Sequence, residues 1–452
     1  MPITLPTESS LDVLRGQRVV LAIIGSLGDL HPTLALGRGL ARHGARVVVA
    51  SSPLHGERVR AAGLEFSPLG PDFTEGHARD LMQRVLHERD GARVLIQEIM
   101  MPMLRQTHEE LDRLCQDDDL LVSGEVVYAA PILAEQRHLA WASVTLSPMP
   151  LLSVFDPPLL PQAPWLYRLR WLGPYFHRLI FGIGRLWSRR WCREVYALRR
   201  ELGLPPGRNP LFDAKHSPDL ALAMFSPLLA GPQPDWPDSA LTTGFARLDD
   251  EPTLPAELEA FLADGPPPVV FTLGSSAVLS PGAFFRESVA AVRRAGTRAV
   301  LLCGENPGLP DLPEGVLALP YAPHAPLFRR AAVVVHSAGI GTLARNLEAG
   351  VPMLMVAQAN DQPDNAVRAA RLGVGEVLTR EAYRADRVAA CLQRLRDDPG
   401  VLAQCRRVAA GLVREDGVAR ACEALAGYLA CRADHCPSVM ATGGSSATRP
   451  PP

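Results

Sequence analysis

Apolar residues along the chain fall in short continuous runs, separated by segments with helical spacing. Arg18–Ile24 is the first run, and a glycine-rich turn, Gly25-Ser26-Leu27-Gly28-Asp29, follows it. Beyond the turn, Leu34, Leu36, Leu40 and Ala41 mark a helix that His43-Gly44 stops, and Val47–Ala50 gives a second strand. Strand, helix and strand within about 35 residues form the pattern of a parallel βαβ unit. Strands are also predicted at Leu120–Val122 and Trp141–Leu146, with a helix around Ala129–Arg137 between them. The unit therefore repeats, as in a doubly wound sheet.

Prolines crowd the stretch 226–267, which also carries one short helical pattern near Ala256–Leu262. The same grammar then restarts. Val269–Leu273, Ala299–Cys303, Val333–Val335 and Met353–Val356 are predicted strands, and helices are predicted near Gly282–Ala295, Gly341–Ala349 and Pro363–Leu372. The expected fold class is α/β, with two Rossmann-like domains facing each other across a cleft that binds ligands at the carboxyl ends of the strands. The domains are read as 1–225 and 268–415, joined by a linker over 226–267. Residues 416–436 are expected to form a helix packing back on the N-terminal domain, and 437–452 a disordered tail.

Composition narrows the class. With 452 residues, 47% hydrophobic and 21% charged, the chain is too apolar to be disordered and long enough for two domains. A net charge of −2 gives no basic field for nucleic acid. No apolar stretch reaches the roughly 18 residues of a spanning helix. Residues 1–17 lack a charged start followed by an apolar core, so no signal peptide is expected and a cytoplasmic protein is. The chain has one lysine, Lys215, against 45 arginines. No G-K-[ST] triplet exists, which excludes a P-loop, and Schiff-base chemistry would have to use Lys215. The eight cysteines show no C-x-x-C pair, as fits a reducing compartment. Cys431, His435 and Cys436 lie close in sequence with no further ligand pair nearby, so an exposed helix end is favoured there and no metal site is expected.

The most informative segment is His336-Ser337-Ala338-Gly339-Ile340-Gly341-Thr342. Three valines run into His336, and glycines then open a helix. Free backbone N–H groups at a helix start favour an anion, and Gly339 and Gly341 let a phosphate approach the backbone. Thr342 adds a hydroxyl and His336 a ring N–H. On these residues alone an ordinary βα turn with a capping threonine is the alternative. Asp361-Gln362 follows the strand Met353–Val356 and should also lie at a strand's carboxyl end. A carboxylate beside an amide accepts from and donates to vicinal sugar hydroxyls, the alternative being helix capping before Pro363.

Further segments complete the picture: Gly25-Ser26-x-Gly28-Asp29-x-x-Pro32, Thr243-Gly244-Phe245, Phe271-Thr272-Leu273-Gly274-Ser275-Ser276, Tyr321-Ala322-Pro323-His324 and Asp361-Gln362-Pro363-Asp364-Asn365-Ala366. In this order and spacing the sequence resembles the nucleotide-sugar-dependent glycosyltransferases of GT-B fold, the UDP-glycosyltransferase and bacterial rhamnosyltransferase superfamily, from Arg18 to about Leu429. The resemblance implies a donor site in the C-terminal lobe. Tyr321 would stack on the nucleobase, His336 and Ser275 would contact the diphosphate, and Gly339, Gly341 and Thr342 would form the phosphate turn. Asp361 and Gln362 would hold sugar hydroxyls, and Gly28 would be among the donor-binding residues. Asp29 would be the general base, with His31 the rival, and helix capping by Asp29 at a helix starting near Pro32 the structural alternative. The implied reaction is an inverting hexosyl transfer from a UDP- or dTDP-sugar, with no cofactor and no metal; no D-x-D motif accompanies it. Two departures stand out. Ala338 replaces a usual glycine, and Ala344 and Arg345 stand where a ribose-binding glutamate is found, Glu348 being one turn too far on. The second departure favours a donor without a ribose 2′-hydroxyl.

The window 165–193 holds four of six tryptophans and seven arginines with no acidic residue. It is expected to frame an apolar or lipid-like acceptor pocket and to allow peripheral contact with the inner membrane face, the alternative being core helices with solvent-facing arginines. Rival functions are a non-catalytic relative that binds or activates another transferase, and a nucleotide-sugar epimerase. A dehydrogenase is disfavoured because Gly25–Asp29 does not follow G-x-G-x-x-G.

Overall fold

The structure, a computed structural model, describes residues 8–70, 84–87, 90–248, 253–274, 278, 281–304, 309 and 311–435. Two all-parallel sheets organise it. The first has seven strands in the order β3-β2-β1-β4-β5-β6-β7. These are β1 (Arg18–Ala22), β2 (Arg46–Ser51), β3 (Glu65–Pro68), β4 (Leu120–Gly124), β5 (Ala140–Thr145), β6 (Ala221–Ala223) and β7 (Ala240–Thr242). The second has six, in the order β10-β9-β8-β11-β12-β13. They are β8 (Val269–Thr272), β9 (Ala299–Leu302), β10 (Val316–Leu319), β11 (Val333–His336), β12 (Met353–Met355) and β13 (Gly375–Val377). In both sheets the chain order reverses beside the first strand, at β1/β4 and β8/β11, and such switch points open a crevice at the strands' carboxyl ends.

The central strands are apolar throughout because helices cover both faces. Val19, Val20, Leu21 and Ala22 of β1 and Val333, Val334 and Val335 of β11 are all fully buried or nearly so. Five helices position the site. They are α1 (Leu27–Arg42) after β1, α2 (Ala129–Arg137) after β4, and α3 (Gly173–Ser188) in the excursion between β5 and β6. In the second lobe α4 (Ile340–Ala349) follows β11 and α5 (Gln362–Arg371) follows β12.

Two expectations change. The stretch 226–267, read as a linker, contributes β7, the edge strand that pairs with β6 from Ala221↔Ala240 to Ala223↔Thr242. And α1 begins at Leu27 with Ser26 as its N-cap, so Pro32 lies inside the helix rather than at its start. The last helix, α6 (Gly417–His435), buries Ala421, Cys422, Leu425 and Tyr428 in the same core as Leu36 and Leu40 of α1. The Tyr428 hydroxyl accepts from the Trp141 N–H at 3.1 Å, which ties the chain's end to the first lobe. Among the described residues no helix is long and apolar enough to cross a membrane.

Candidate active site

A cavity of about 1880 Å³ lies between the lobes and is lined from both. Its first wall is the turn after β1. The Ser26 hydroxyl accepts the Gly28 N–H at 3.1 Å, and the Ser26 N–H donates to Asp29 Oδ2 at 2.8 Å. This reciprocal capping box fixes the Asp29 carboxylate at the third position of α1, facing the cavity. Gly25 has to be glycine, since a Cβ there would stand 2.2 Å from Asp29 Oδ2. Burial pushes the Asp29 carboxyl up to about 6; the Ser26 N–H pulls it down, and Asp361 of the other lobe pushes it up again. His31 also lines the cavity. Burial, with Arg345, Arg58 and His55 nearby, lowers its pKa and keeps the imidazole neutral. Gly28 lines the cavity as well, but its N–H is taken by Ser26.

The facing wall is the start of α4. Gly339 is its N-cap, and no side chain caps the helix. A Cβ added to Gly339 or Gly341 would meet nothing within 4 Å, so both open onto free space. Thr342 and Arg345 line the same space. An uncapped helix start leaves first-turn N–H groups for an anionic ligand. Behind it, Ala338 has φ 62°, a left-handed conformation uncommon outside glycine. Its methyl is fully buried in the core with Leu343 and Leu347, not directed at the cavity.

His336 differs from its expected place. It is wholly buried and is not among the cavity-lining residues. Its Nδ1 accepts the Ala338 N–H at 3.0 Å, and burial drives its pKa down to about 3. A neutral ring that accepts at Nδ1 carries its proton on Nε2, and Nε2 is buried with no partner. In this structure the ring holds the turn's backbone. Tyr321 stands 64% exposed at the rim, its ring 6.3 Å from His324. Ser275 lies outside the described residues.

After β12, Asn360 takes φ 57° and turns the chain into α5, placing Asp361 and Gln362 on the cavity. Gln362 Oε1 accepts the Gln358 N–H at 2.9 Å. Burial pushes Asp361 up to about 6, opposed by a 2.7 Å hydrogen bond from Asn365. Asn365 Nδ2 also donates to the Ala338 carbonyl at 3.2 Å. One buried amide thus links the Asp361 carboxylate to the α4 turn. Asn365 belongs to the Asp361–Ala366 motif, but its place in the sequence does not reveal this link.

Glu125, which no sequence motif marks, and Lys215, marked only as the chain's one lysine, line the first-lobe side. Glu125 follows β4 at the sheet's carboxyl edge and accepts from the Thr145 hydroxyl at 3.0 Å. Burial raises its pKa while Lys215 lowers it. Its position directly after an apolar run and the uniqueness of Lys215 were the available signals. Among the described residues no cluster of His, Cys, Asp and Glu is arranged to hold a metal, and Cys436 lies outside them.

Residues 19–143 match the glycosyltransferase family 28 N-terminal domain, and residues 295–425 match the erythromycin biosynthesis protein CIII-like C-terminal domain. The O-mycaminosyltylonolide 6-deoxyallosyltransferase of Streptomyces fradiae is 30% identical over 417 residues, spanning 90% of this chain and 96% of that one. The crystal structure of the calicheamicin glycosyltransferase CalG4 covers 92% of this chain and 99% of its own, with TM-score 0.69 at 20% identity. A spinosyn rhamnosyltransferase complexed with thymidine diphosphate covers 89% and 98%, with TM-score 0.63 at 18% identity. The two facing lobes, the site built between them and the relative matched along nearly its whole length lead to one conclusion: the chain belongs to the nucleotide-sugar-dependent glycosyltransferases of GT-B fold and is a glycosyltransferase.

Proposed function

We propose that the enzyme moves a hexose or deoxyhexose, with inversion, from a dTDP- or UDP-sugar to a hydroxyl of an apolar, lipid-like acceptor. The observation that carries this reading is the facing of Asp29, on one lobe, against Asp361 and the open start of α4 on the other, across one cavity. The Asp29 carboxylate takes the acceptor hydroxyl's proton as the oxygen attacks the anomeric carbon. The bond from that carbon to the phosphate oxygen breaks on the opposite face, and the nucleoside diphosphate leaves with the electron pair. First-turn N–H groups of α4, Thr342 and Arg345 meet the growing negative charge. Asp361 and Gln362 hold the sugar hydroxyls, and Tyr321 receives the base. His31 is the alternative base. The apolar-acceptor reading rests on the wall formed by Leu95, Ile96, Met100, Phe181, Trp191 and Phe212.

A deoxy-nucleotide donor is favoured because Ala344 and Arg345 offer no ribose-accepting carboxylate in the expected place. The spinosyn rhamnosyltransferase solved with thymidine diphosphate supports the same reading. The charge supplied by α4 also supports a metal-independent reaction; EDTA is expected to leave kcat within about twofold, since a required metal would supply several kcal/mol.

Thermal unfolding with dTDP, UDP, GDP and ADP tests the donor site. A ligand at about 100 times its Kd stabilises by ~2.7 kcal/mol. The control is Gly341→Val, whose side chain enters open space and so blocks the phosphate without disturbing packing. A shift with dTDP or UDP that Gly341→Val abolishes is expected. A shift that survives the substitution, or none with any nucleotide, overturns the assignment.

A further inference from the structure

We propose that the outer face of α3 docks the enzyme on an anionic phospholipid surface, from which the acceptor enters the cavity past Ile183 and Trp187. The route of entry rests on the apolar-acceptor reading above; the docking does not.

A helix of a globular protein normally turns its apolar stripe inward. In α3 a second stripe faces solvent. Tyr175, Leu179, Ile183 and Leu186 lie at i, i+4, i+8 and i+11 on one side, with exposures of 83%, 63%, 58% and 74%. Trp171, 75% exposed, precedes the helix and Trp187, 51% exposed, closes it. The inward side is a separate surface, where His177 and Phe181 are buried. A contiguous exposed apolar patch of this kind marks an interaction site.

The charges around the patch choose the occupant. No acidic residue occurs from 165 to 193. Arg185 is paired with Asp213 at 2.9 Å and Arg170 lies 3.8 Å from Asp156. Among the described residues no carboxylate pairs with Arg178, Arg189 or Arg190, although Arg178 and Arg189 lie over the rings of Tyr175 and Tyr196. An apolar stripe ended by aromatic residues and edged by uncompensated arginines matches the boundary between acyl chains and anionic headgroups.

The same helix borders the cavity. Ile180, Phe181, Gly184 and Ser188 line it, and Ile183 and Trp187 both line it and reach solvent. These two side chains stand at the mouth, between the proposed lipid face and the acceptor wall. An acceptor with an apolar body would pass from bilayer to site without crossing bulk water.

The test is flotation of the full chain with vesicles of phosphatidylglycerol and phosphatidylcholine, against phosphatidylcholine alone, at low salt and at about 0.5 M salt, where screening extends over only a few ångströms. Flotation with the anionic vesicles at low salt is expected, falling about tenfold on neutral vesicles or at high salt. The double variant Leu179→Glu with Leu186→Glu alters two exposed side chains outside the cavity lining. It is expected to lose flotation at least tenfold while keeping the nucleotide-induced thermal shift. Absence of flotation by the wild type overturns the docking. So does elution as a dimer that the double variant converts to monomer without any lipid binding, since the face then joins two copies. Loss of the nucleotide shift in the wild type counts against the donor site alone and leaves the flotation result standing.

Discussion

The Asp29 carboxylate titrates near 6 because burial and the facing Asp361 outweigh the hydrogen bond from the Ser26 N–H. At pH 7 it is therefore mostly ionised and still basic enough to accept a proton. The expected profile of kcat/KM falls about tenfold per pH unit below about 6, and a flat profile down to pH 5 would remove Asp29 and favour neutral His31. Asp29→Asn is expected to lower kcat by ~10²–10⁴ with little change in nucleotide affinity. The same carboxylate works against the fold. Its folded pKa lies above the usual value near 3.8, so its favourable term is complete below that value and is lost as pH rises through about 6. Asn never ionises, so Asp29→Asn should be the more stable protein at pH 8, on the order of 1 kcal/mol given that the group borders solvent, and should match the wild type near pH 4. Melting at the two pH values measures it. Asn365 acts on Asp361 through the hydrogen bond that lowers its pKa. Asn365→Ala is expected to raise the Asp361 pKa, move the acid limb of the pH profile upward and cost about 10–100-fold in kcat/KM; a drop in Tm with an unmoved profile would make Asn365 purely structural.

Helix α6 follows the second lobe in sequence and packs on the first. The contact is close at Gly39 of α1, where a Cβ would stand 2.4 Å from Val418 and 3.1 Å from the Cys422 sulfur. Gly39→Val is expected to push the helices apart at a cost of ~1–3 kcal/mol, and to expose 417–435 to protease while the nucleotide site keeps its affinity. A helix over 416–436 packing back on the first lobe was expected; the closeness of the contact was not legible in the sequence, where Gly39 is one small residue in an otherwise regular helix pattern. The strands that were legible are those whose burial on both faces forces unbroken apolar runs, such as β1, β8 and β11. The three-residue strands β6, β7 and β13 are too short to show a period, and Glu65–Pro68 of β3 sits at a sheet edge with polar residues. The start of α1 was misplaced because a proline favours a first turn and Pro32 follows an aspartate by three; the capping box from Ser26 outweighed that signal. At the site, the glycines, Thr342 and the Asp361-Gln362 pair were legible because chemistry and turn geometry act locally. The burial of His336, the bridging by Asn365 and the proximity of Glu125 to Lys215 depend on residues far apart in sequence, which no local pattern records.

Catalysis as read above needs both lobes at once, because Asp29 belongs to one and the donor to the other. A loop of the first lobe secures this. Asp156 binds Arg368 and Arg371 of α5, the latter at 2.9 Å, and the Leu159 N–H donates to Asp364 at 2.9 Å. Arg368 in turn holds Asp364 at 2.7 Å, and both are nearly inaccessible. Arg368 is thus shared between carboxylates of the two lobes, directly behind Asp361-Gln362. Removing Arg368 would leave Asp364 buried without a partner, a change that costs about 3–5 kcal/mol and confuses folding with closure. Asp156→Asn is the cleaner probe, since it weakens only the bond between lobes and leaves the Arg368–Asp364 pair inside the second lobe intact. Each lobe should then stay folded and nucleotide affinity should hold within about twofold, because the donor contacts lie in one lobe. The distance from Asp29 to the bound sugar should widen, and a misplacement of about 1 Å is enough for a loss on the order of 10²-fold. The expected result is a fall in kcat of at least about tenfold with a larger radius of gyration by small-angle scattering. An unchanged kcat would show that the substrates themselves bring the lobes together and that the Asp156 contact only stabilises the resting form.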